Sequence, residues 1–268
     1  MSRPRIGQQV LLAIALGLFV SPGIIMGAVI PVPHDSTQSI PSTSVENSVT
    51  IAHSGTVPGA TYFGTLDLKN NDLVVQGDGT EATTQSNYAN IQDMVTSGFS
   101  PSQDWSGPGI TSSTANADFN NGPGATGLGV IRNDDSGVVN SPSGSPLYTT
   151  WDGAAVTDFS ILTKYTFVGD TQLRGKITGF DVGVVLGDFN LGIGGWFNGD
   201  FFNQGNVTGT DVGVVLANFT AQNQYPFTYP GAVASALSVP EPGSVFLALI
   251  AIAGGVALLK CRRKVAAN

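Results

Sequence analysis

One internal repeat constrains this chain more than any other feature: Asp181-Val182-Gly183-Val184-Val185-Leu186 recurs unchanged, 30 residues later, as Asp211-Val212-Gly213-Val214-Val215-Leu216. At the same offset Gly169-Asp170 matches Gly199-Asp200, Gly175 matches Gly205, Thr178-Gly179 matches Thr208-Gly209, and Phe189 matches Phe219. A unit repeated at this period is a supersecondary element that buries its apolar face only against its neighbour. Val182, Val185, Leu186 and Phe189, and again Val212, Val215, Leu216 and Phe219, fall at i, i+3, i+4 and i+7, one face of a helix. The spacing predicts two short amphipathic helices packed on each other. Gly183 and Gly213 would cost each helix about 1 kcal/mol relative to Ala, in exchange for close approach.

Each predicted helix follows a loop with Asp at position one, Gly at six and Asp at twelve: Asp170, Gly175, Asp181, then Asp200, Gly205, Asp211. Carboxylates spaced in this way wrap a calcium ion, and the Gly permits the sharp turn between them. On these residues the tandem at 165–219 resembles a dockerin-type module. The resemblance implies two calcium loops stabilising a small helical domain that docks into a cohesin-like partner, with Asp rather than the usual EF-hand Glu at position twelve. The ligands it implies are Asp170, Gln172, the carbonyl of Lys176, Thr178 and Asp181 in loop one. In loop two they are Asp200, Gln204, the carbonyl of Asn206, Thr208 and Asp211. The chain departs from the family at positions three and five, with Gln172 and Arg174, then Phe202 and Gln204, in place of Asn or Asp. Gly179-Phe180 and Gly209-Thr210 stand where the family has paired hydroxyls near the helix start. The loops either still hold calcium at millimolar extracellular levels or belong to a repeat whose helices pack without the ion.

The two ends read as addresses. Arg3 and Arg5, the apolar run 10–20, the breakers Ser21, Pro22 and Gly23, and the small pair Gly27 and Ala28 have the layout of a secretory signal peptide over 1–28. At the other end Val239-Pro240-Glu241-Pro242-Gly243-Ser244 leads into an apolar run at 245–259 and then Lys260-Cys261-Arg262-Arg263-Lys264. From residue 243 to 259 a helix at about 1.5 Å per residue covers roughly 25 Å, enough for one membrane span, and the basic cluster sets its end in the cytoplasm. The three elements in this order resemble the PEP-CTERM sorting signal of Gram-negative bacteria. The resemblance implies recognition of Pro240, Glu241 and Pro242 at the inner membrane by an exosortase. It also implies transfer of the protein to the cell surface or an exopolysaccharide matrix. Prolines on both sides of Glu241 keep that segment extended and non-helical.

Charge narrows the partners. The net charge is −8, and setting aside the six terminal cations at 3, 5, 260 and 262–264 leaves 5 of the 11 cations against all 19 acids. Such a surface repels phosphate backbones, so no nucleic-acid partner is expected. The single cysteine, Cys261, excludes an intramolecular disulfide and a cysteine zinc cluster.

Between the ends, 29–50 reads as a flexible leader because 35–47 is rich in Ser, Thr and Pro, and 51–164 as a β-rich cap. Within the cap the residues predict a hairpin from Tyr62 to Val75 turning at Asn70-Asn71-Asp72, a short helix at 87–96, a strand at 127–131 and a long strand at 159–167. The cap's sequence resembles the region that precedes dockerin-like repeats in large planctomycete surface proteins, often after a β-solenoid that is absent here. The repeat then occupies 165–220, a linker 221–238 and the sorting signal 239–264. Asp134-Asp135, between Asn133 and Gly137, reads as a solvated turn. His34 and His53, the only histidines, lie in or near the leader, away from any Ser-His-Asp arrangement. The expected protein is α+β, with one C-terminal transmembrane helix and a non-enzymatic role in the envelope or matrix. The alternative is a calcium-dependent module that docks onto a cohesin-like protein or a polysaccharide-degrading assembly.

Overall fold

The computed structural model describes residues 25–26, 29–76, 78–121, 124–134 and 145–224. In chain order the strands before the first helix are β1 (Ile25–Met26), β2 (Val29–Val32), β3 (Thr37–Ser39), β4 (Ser44–Glu46), β5 (Ser48–Ile51), β6 (His53–Ser54), β7 (Thr61–Tyr62), β8 (Thr65–Asp67) and β9 (Leu73–Val75). Then come α1 (Glu81–Phe99), β10 (Gly109–Thr111), α2 (Ser113–Asn121), β11 (Thr126–Arg132), β12 (Thr150–Trp151), β13 (Ala154–Ala155), β14 (Ile161–Phe167), α3 (Gly179–Gly187) and α4 (Gly209–Ala221). The architecture is mixed α+β.

The first half winds as a coil. Strands of successive turns stack in parallel on three sides, β1-β4-β9, β2-β5 and β3-β8-β10. The chain passes through one strand of each stack in order, and the antiparallel pair β6–β7 is inserted in the second turn. The coil is a short β-solenoid where none is expected from the sequence, and two further expectations fail with it. Residues 29–50 are not a leader: β2, β3 and β4 lie wholly within them and β5 begins there, with Val32, Val45 and Val49 buried. Ser and Thr mislead because they occupy the outward positions of short strands, as in Ser48-Val49-Thr50-Ile51, where Val49 and Ile51 alone are buried. Nor is there a hairpin from Tyr62 to Val75, because β8 pairs with β3 and β10 whereas β9 pairs with β4 and β14. A turn over Leu68–Asn71, closed by the Asn71 N–H on the Leu68 carbonyl at 2.9 Å, moves the chain from one side of the coil to another. β1 lies inside 1–28, so cleavage after Ala28 would remove it and leave β4 as the sheet edge.

α1 fills the third turn between β9 and β10 and packs on β10, β11 and β5. It extends beyond the expected 87–96. Thr80 caps it, Glu81 sits in its first turn, and Thr84, Tyr88, Ile91, Val95 and Gly98 form its buried stripe. Gly98 is a packing requirement, since a Cβ there would lie 1.9 Å from the carbonyl oxygen of Ile110.

The coil is closed by antiparallel pairing. β14 lies between β9 and β11, and its register with β11 runs from Thr126↔Phe167 to Arg132↔Ile161 without a bulge. Every residue of both strands is buried. Burial along their whole length, polar residues included, is that of a sheet covered on both faces. One face presents Leu73, Val75, Leu128, Val130, Ile161 and Tyr165 to α1 and the coil interior. The other presents Val45, Val74, Ile131 and Leu162 to Tyr148, Trp151 and the repeat module. The expected boundary between 164 and 165 therefore falls inside β14, and the module shares its core with the sheet. Asp134, expected in a solvated turn, is buried, with Oδ2 2.7 Å from Arg132 Nε. Arg132 also binds Glu81 through Nη1 and Nη2, each at 2.6 Å, which fixes the start of α1 to the end of β11.

α3 and α4 form and pack together as the periodicity predicts, but the apolar face is divided. Val185 and Val215 are fully buried, while Leu186 and Leu216 are 55% and 45% exposed and Phe189 and Phe219 point outward with them. The close approach is made elsewhere than at Gly183 and Gly213, where a Cβ would meet nothing within 4 Å. It is made reciprocally by the other repeated pair. A Cβ on Gly169 would press on Val215 at 3.1 Å and Ile177 at 2.7 Å, and one on Gly199 would press on Val185 at 2.6 Å. Each repeat thus seats its glycine against the valine of the other. Both glycines also have positive φ, +126° and +94°, a region that disfavours side chains.

The two kinds of glycine give opposite expectations. Gly183→Ala and Gly213→Ala should each stabilise by about 0.5–1 kcal/mol, because an open helical site gains propensity without a clash. Gly199→Ala should cost about 1–3 kcal/mol through overpacking and backbone strain. Urea unfolding of the three variants checks this.

Candidate functional site

The two loops share their aspartates and their turn glycine and differ most consequentially at position five. In loop one, Asp170 Oδ1 accepts the N–H of Arg174 at 2.9 Å, and Oδ2 accepts the N–H of Gly175 and the Thr166 hydroxyl, both at 2.6 Å. Asp181 Oδ1 accepts the Thr171 N–H and hydroxyl at 3.0 and 2.7 Å. Its Oδ2 accepts the N–H and hydroxyl of Thr178, both at 2.8 Å, so Asp181 closes the start of α3 in the manner of a capping box. Loop two repeats the pattern. Asp200 accepts the N–H groups of Gln204 (2.8 Å), Gly205 (2.9 Å) and Gly195 (3.3 Å). Asp211 accepts those of Phe201 and Thr208, both at 2.9 Å, and the Thr208 hydroxyl at 2.9 Å. Gly175 and Gly205 share φ +79°, which is the sharp turn expected of position six.

All four aspartates are at most 1% exposed. Burial, with the charge of Asp181 next in weight, pushes the Asp170 carboxyl up to about 7. Burial raises Asp200 as well, against the pull of its three N–H donors. The decisive difference is at position five. Arg174 turns into its own loop, with Nη2 3.0 Å from both Asp181 Oδ2 and Thr178 Oγ1, and its guanidinium lies over the Phe180 ring at 5.2 Å. Loop two has Gln204 there, and it is exposed.

Of the other predicted ligand residues, several make contacts within the fold. The Gln172 carbonyl accepts the Tyr148 hydroxyl at 2.6 Å, and Lys176 is exposed. Asn206 turns its Oδ1 to the N–H of Gly192 at 2.9 Å. Thr178 and Thr208 face their own aspartates as described. Among the described residues no group of three or more His, Cys, Asp or Glu could hold a metal ion. Calcium takes about six to eight oxygens with several charges. The donor set of loop one does not fit it, because two carboxylates already occupied by N–H and hydroxyl donors share the loop with a guanidinium. Loop two offers the same two carboxylates without an internal cation. Pro240, Glu241 and Pro242 lie outside the described residues, as does the apolar run at 245–259; among the described residues no helix is long and apolar enough to cross a membrane.

Two features beside the loops were not read from the sequence. A cleft of about 590 Å³ runs between α1 and loop two, lined by Gln85, Tyr88, Gln92, Gly194, Asp200 and Asn203, with Gln92 Nε2 3.2 Å from Asn203 Oδ1 across it. It joins residues about 110 apart, which no local pattern signals. Trp196 Nε1 donates to the Asp170 carbonyl at 2.7 Å, so the second repeat's turn locks the first repeat's loop. His34 is exposed, with Nδ1 2.7 Å from Asp35, and His53 Nδ1 lies 2.9 Å from the Ile51 carbonyl. No protein-family model matches the chain, and no curated protein or solved structure is found to be similar to it.

Arg174 makes the loops separable by experiment. Arg174→Asn, which replaces the guanidinium by a neutral oxygen donor of the kind a calcium loop uses at position five, should destabilise the calcium-free protein by about 2 kcal/mol through loss of the partner of a buried carboxylate. It should also create a calcium-dependent rise in Tm that loop one of the parent lacks. Thermal melts of both proteins with calcium and with chelator check this.

Proposed function

We propose that this chain is an exported, non-enzymatic protein of the cell envelope or extracellular matrix, held at the inner membrane by its C-terminal segment until an exosortase-type enzyme processes it. The observation that carries this is the ordered tail: Pro240-Glu241-Pro242, then an apolar run, then a basic cluster, in a chain that opens with an export-type leader. The folded part suits such a setting. Residues 29–224 contain no cysteine, and they are held by two apolar cores and buried carboxylate networks rather than by redox-sensitive bonds.

A second use, as a docking module for a cohesin-like partner, draws on the repeated outward residues Leu186 and Leu216 with Phe189 and Phe219, which α3 and α4 leave exposed. In this protein docking would use apolar contact, since Gly179, Phe180, Gly209 and Thr210 supply a single hydroxyl at the positions where the resemblance implies pairs.

Fractionation tests the main proposal. In a host with an exosortase, the parent protein should leave the inner membrane for the surface or matrix with its tail removed. Glu241→Ala combined with Pro240→Ala and Pro242→Ala should accumulate at full length in the inner membrane. Parent protein that stays uncut in that membrane would overturn the sorting assignment.

A further inference from the structure

The core between the sheet and the repeat module contains a lysine. Lys164 sits in the middle of β14, and the register Thr163↔Leu73 carried one residue on brings it opposite Asp72. Lys164 Nζ is 2.6 Å from Asp72 Oδ2, and the two side chains are only 3% and 4% exposed. Trp151 Nε1 donates to the same oxygen at 3.0 Å, and the Trp151 ring lies 5.1 Å from Nζ. Trp151 is placed by the β12–β13 hairpin, whose turn residues Asp152 and Gly153 have φ of +48° and +87°, the signs of a type I′ turn. The same turn holds Asp152, whose Oδ2 accepts the Thr43 hydroxyl at 2.6 Å.

As a salt bridge this is an expensive arrangement, because removing both charges from water costs about as much as their attraction returns. Burial pushes the Asp72 carboxyl up to about 7; Lys164 opposes the rise and the charge of Asp152 adds to it, so burial favours the uncharged carboxyl. For a condensation the same surroundings are favourable. Water is excluded, amine and carboxyl are in contact, and a fixed N–H donor sits on the oxygen that gains charge during attack.

We propose that Lys164 and Asp72 join in an intramolecular amide bond, Nζ to Cγ, which cross-links β14 to the start of β9. The proton moves from the ammonium to the carboxylate and comes to rest on Oδ1, leaving a neutral amine and a neutral acid whose Oδ2 is the carbonyl oxygen. The Nζ lone pair attacks Cγ and the N–C bond forms. A second Nζ proton passes to the carboxyl hydroxyl, the Cγ–O bond breaks, and one water leaves. Oδ2, held by Trp151, remains as the amide oxygen. Nothing is oxidised or reduced, and no co-reactant enters. The link closes a loop between residues 92 apart in a chain whose one cysteine, Cys261, has no partner within it. It depends on neither export nor sorting.

Mass spectrometry of the denatured full-length protein decides the matter. The expected result has two parts: a mass lower by one water than its observed termini require, and, after trypsin, a branched peptide joining the segment that contains Asp72 to one uncut at Lys164. Lys164→Met should restore the lost water. A full mass with trypsin cutting after Lys164 would overturn the proposal. So would a water loss that maps instead to a succinimide at Asp78-Gly79 or Asp152-Gly153. Both readouts come from the parent protein, so they stand even where Lys164→Met fails to fold. In Asp152→Asn the branched peptide should accumulate several-fold more slowly.

Discussion

Everything in this molecule depends on the pairing of β11 with β14. These two strands close the open end of the parallel coil and carry both cores at once, alternating Leu128, Val130, Ile161 and Tyr165 toward α1 with Ile131 and Leu162 toward the repeat. The repeat has no independent core to fall back on. Val185 and Val215 fill the same apolar volume as Val74 and Leu162. Gly129, opposite Lys164 in the ladder, is what lets the module come so near, since a Cβ there would lie 2.4 Å from Leu173 and 2.5 Å from Trp196. Asn218 fastens α4 by donating to the carbonyls of Val168 and Ala125 at 2.8 and 3.3 Å.

The loop aspartates act on the fold itself. An aspartate at position twelve of a calcium loop also stands at N3 of the following helix, where a carboxylate is stabilised by the cap N–H and by the helix dipole. Asp181 and Asp211 therefore retain a structural role with or without an ion. In loop one Arg174 supplies the countercharge from within the chain. In loop two the countercharge is left to backbone N–H groups.

The sequence made the repeat legible down to single residues: the helices, the turn glycines and the loop aspartates all stand where the 30-residue offset places them. It was less informative about burial. A stripe at i, i+3, i+4 and i+7 identifies a helix but not how much of the stripe is covered, and here a short helix on a sheet covers the Val185 position and leaves Leu186 and Phe189 out. The coil was invisible because each parallel strand pairs with a segment roughly one turn of chain away that has no matching sequence, and three-residue strands give too short a pattern to find. Asp72 looked like a turn residue because it directly follows a real turn, Leu68–Asn71. Only Lys164, a lone charge inside Ile161-Leu162-Thr163-Lys164-Tyr165-Thr166-Phe167, marked the buried pair, and it pointed to no partner.

The geometry of β14 also determines how the molecule would bear a load. A pull on the chain beyond residue 224 enters the fold through α4, passes by Asn218 to the loops at Ala125 and Val168, and reaches the facing ends of β11 and β14. Those strands meet in seven consecutive antiparallel pairs, so hydrogen bonds stressed along the strand axis would have to fail together rather than one at a time. β9 shares its three pairs with β14 on the other side, and the force then spreads into the coil. A tether attached at that end would meet its resistance in the central sheet.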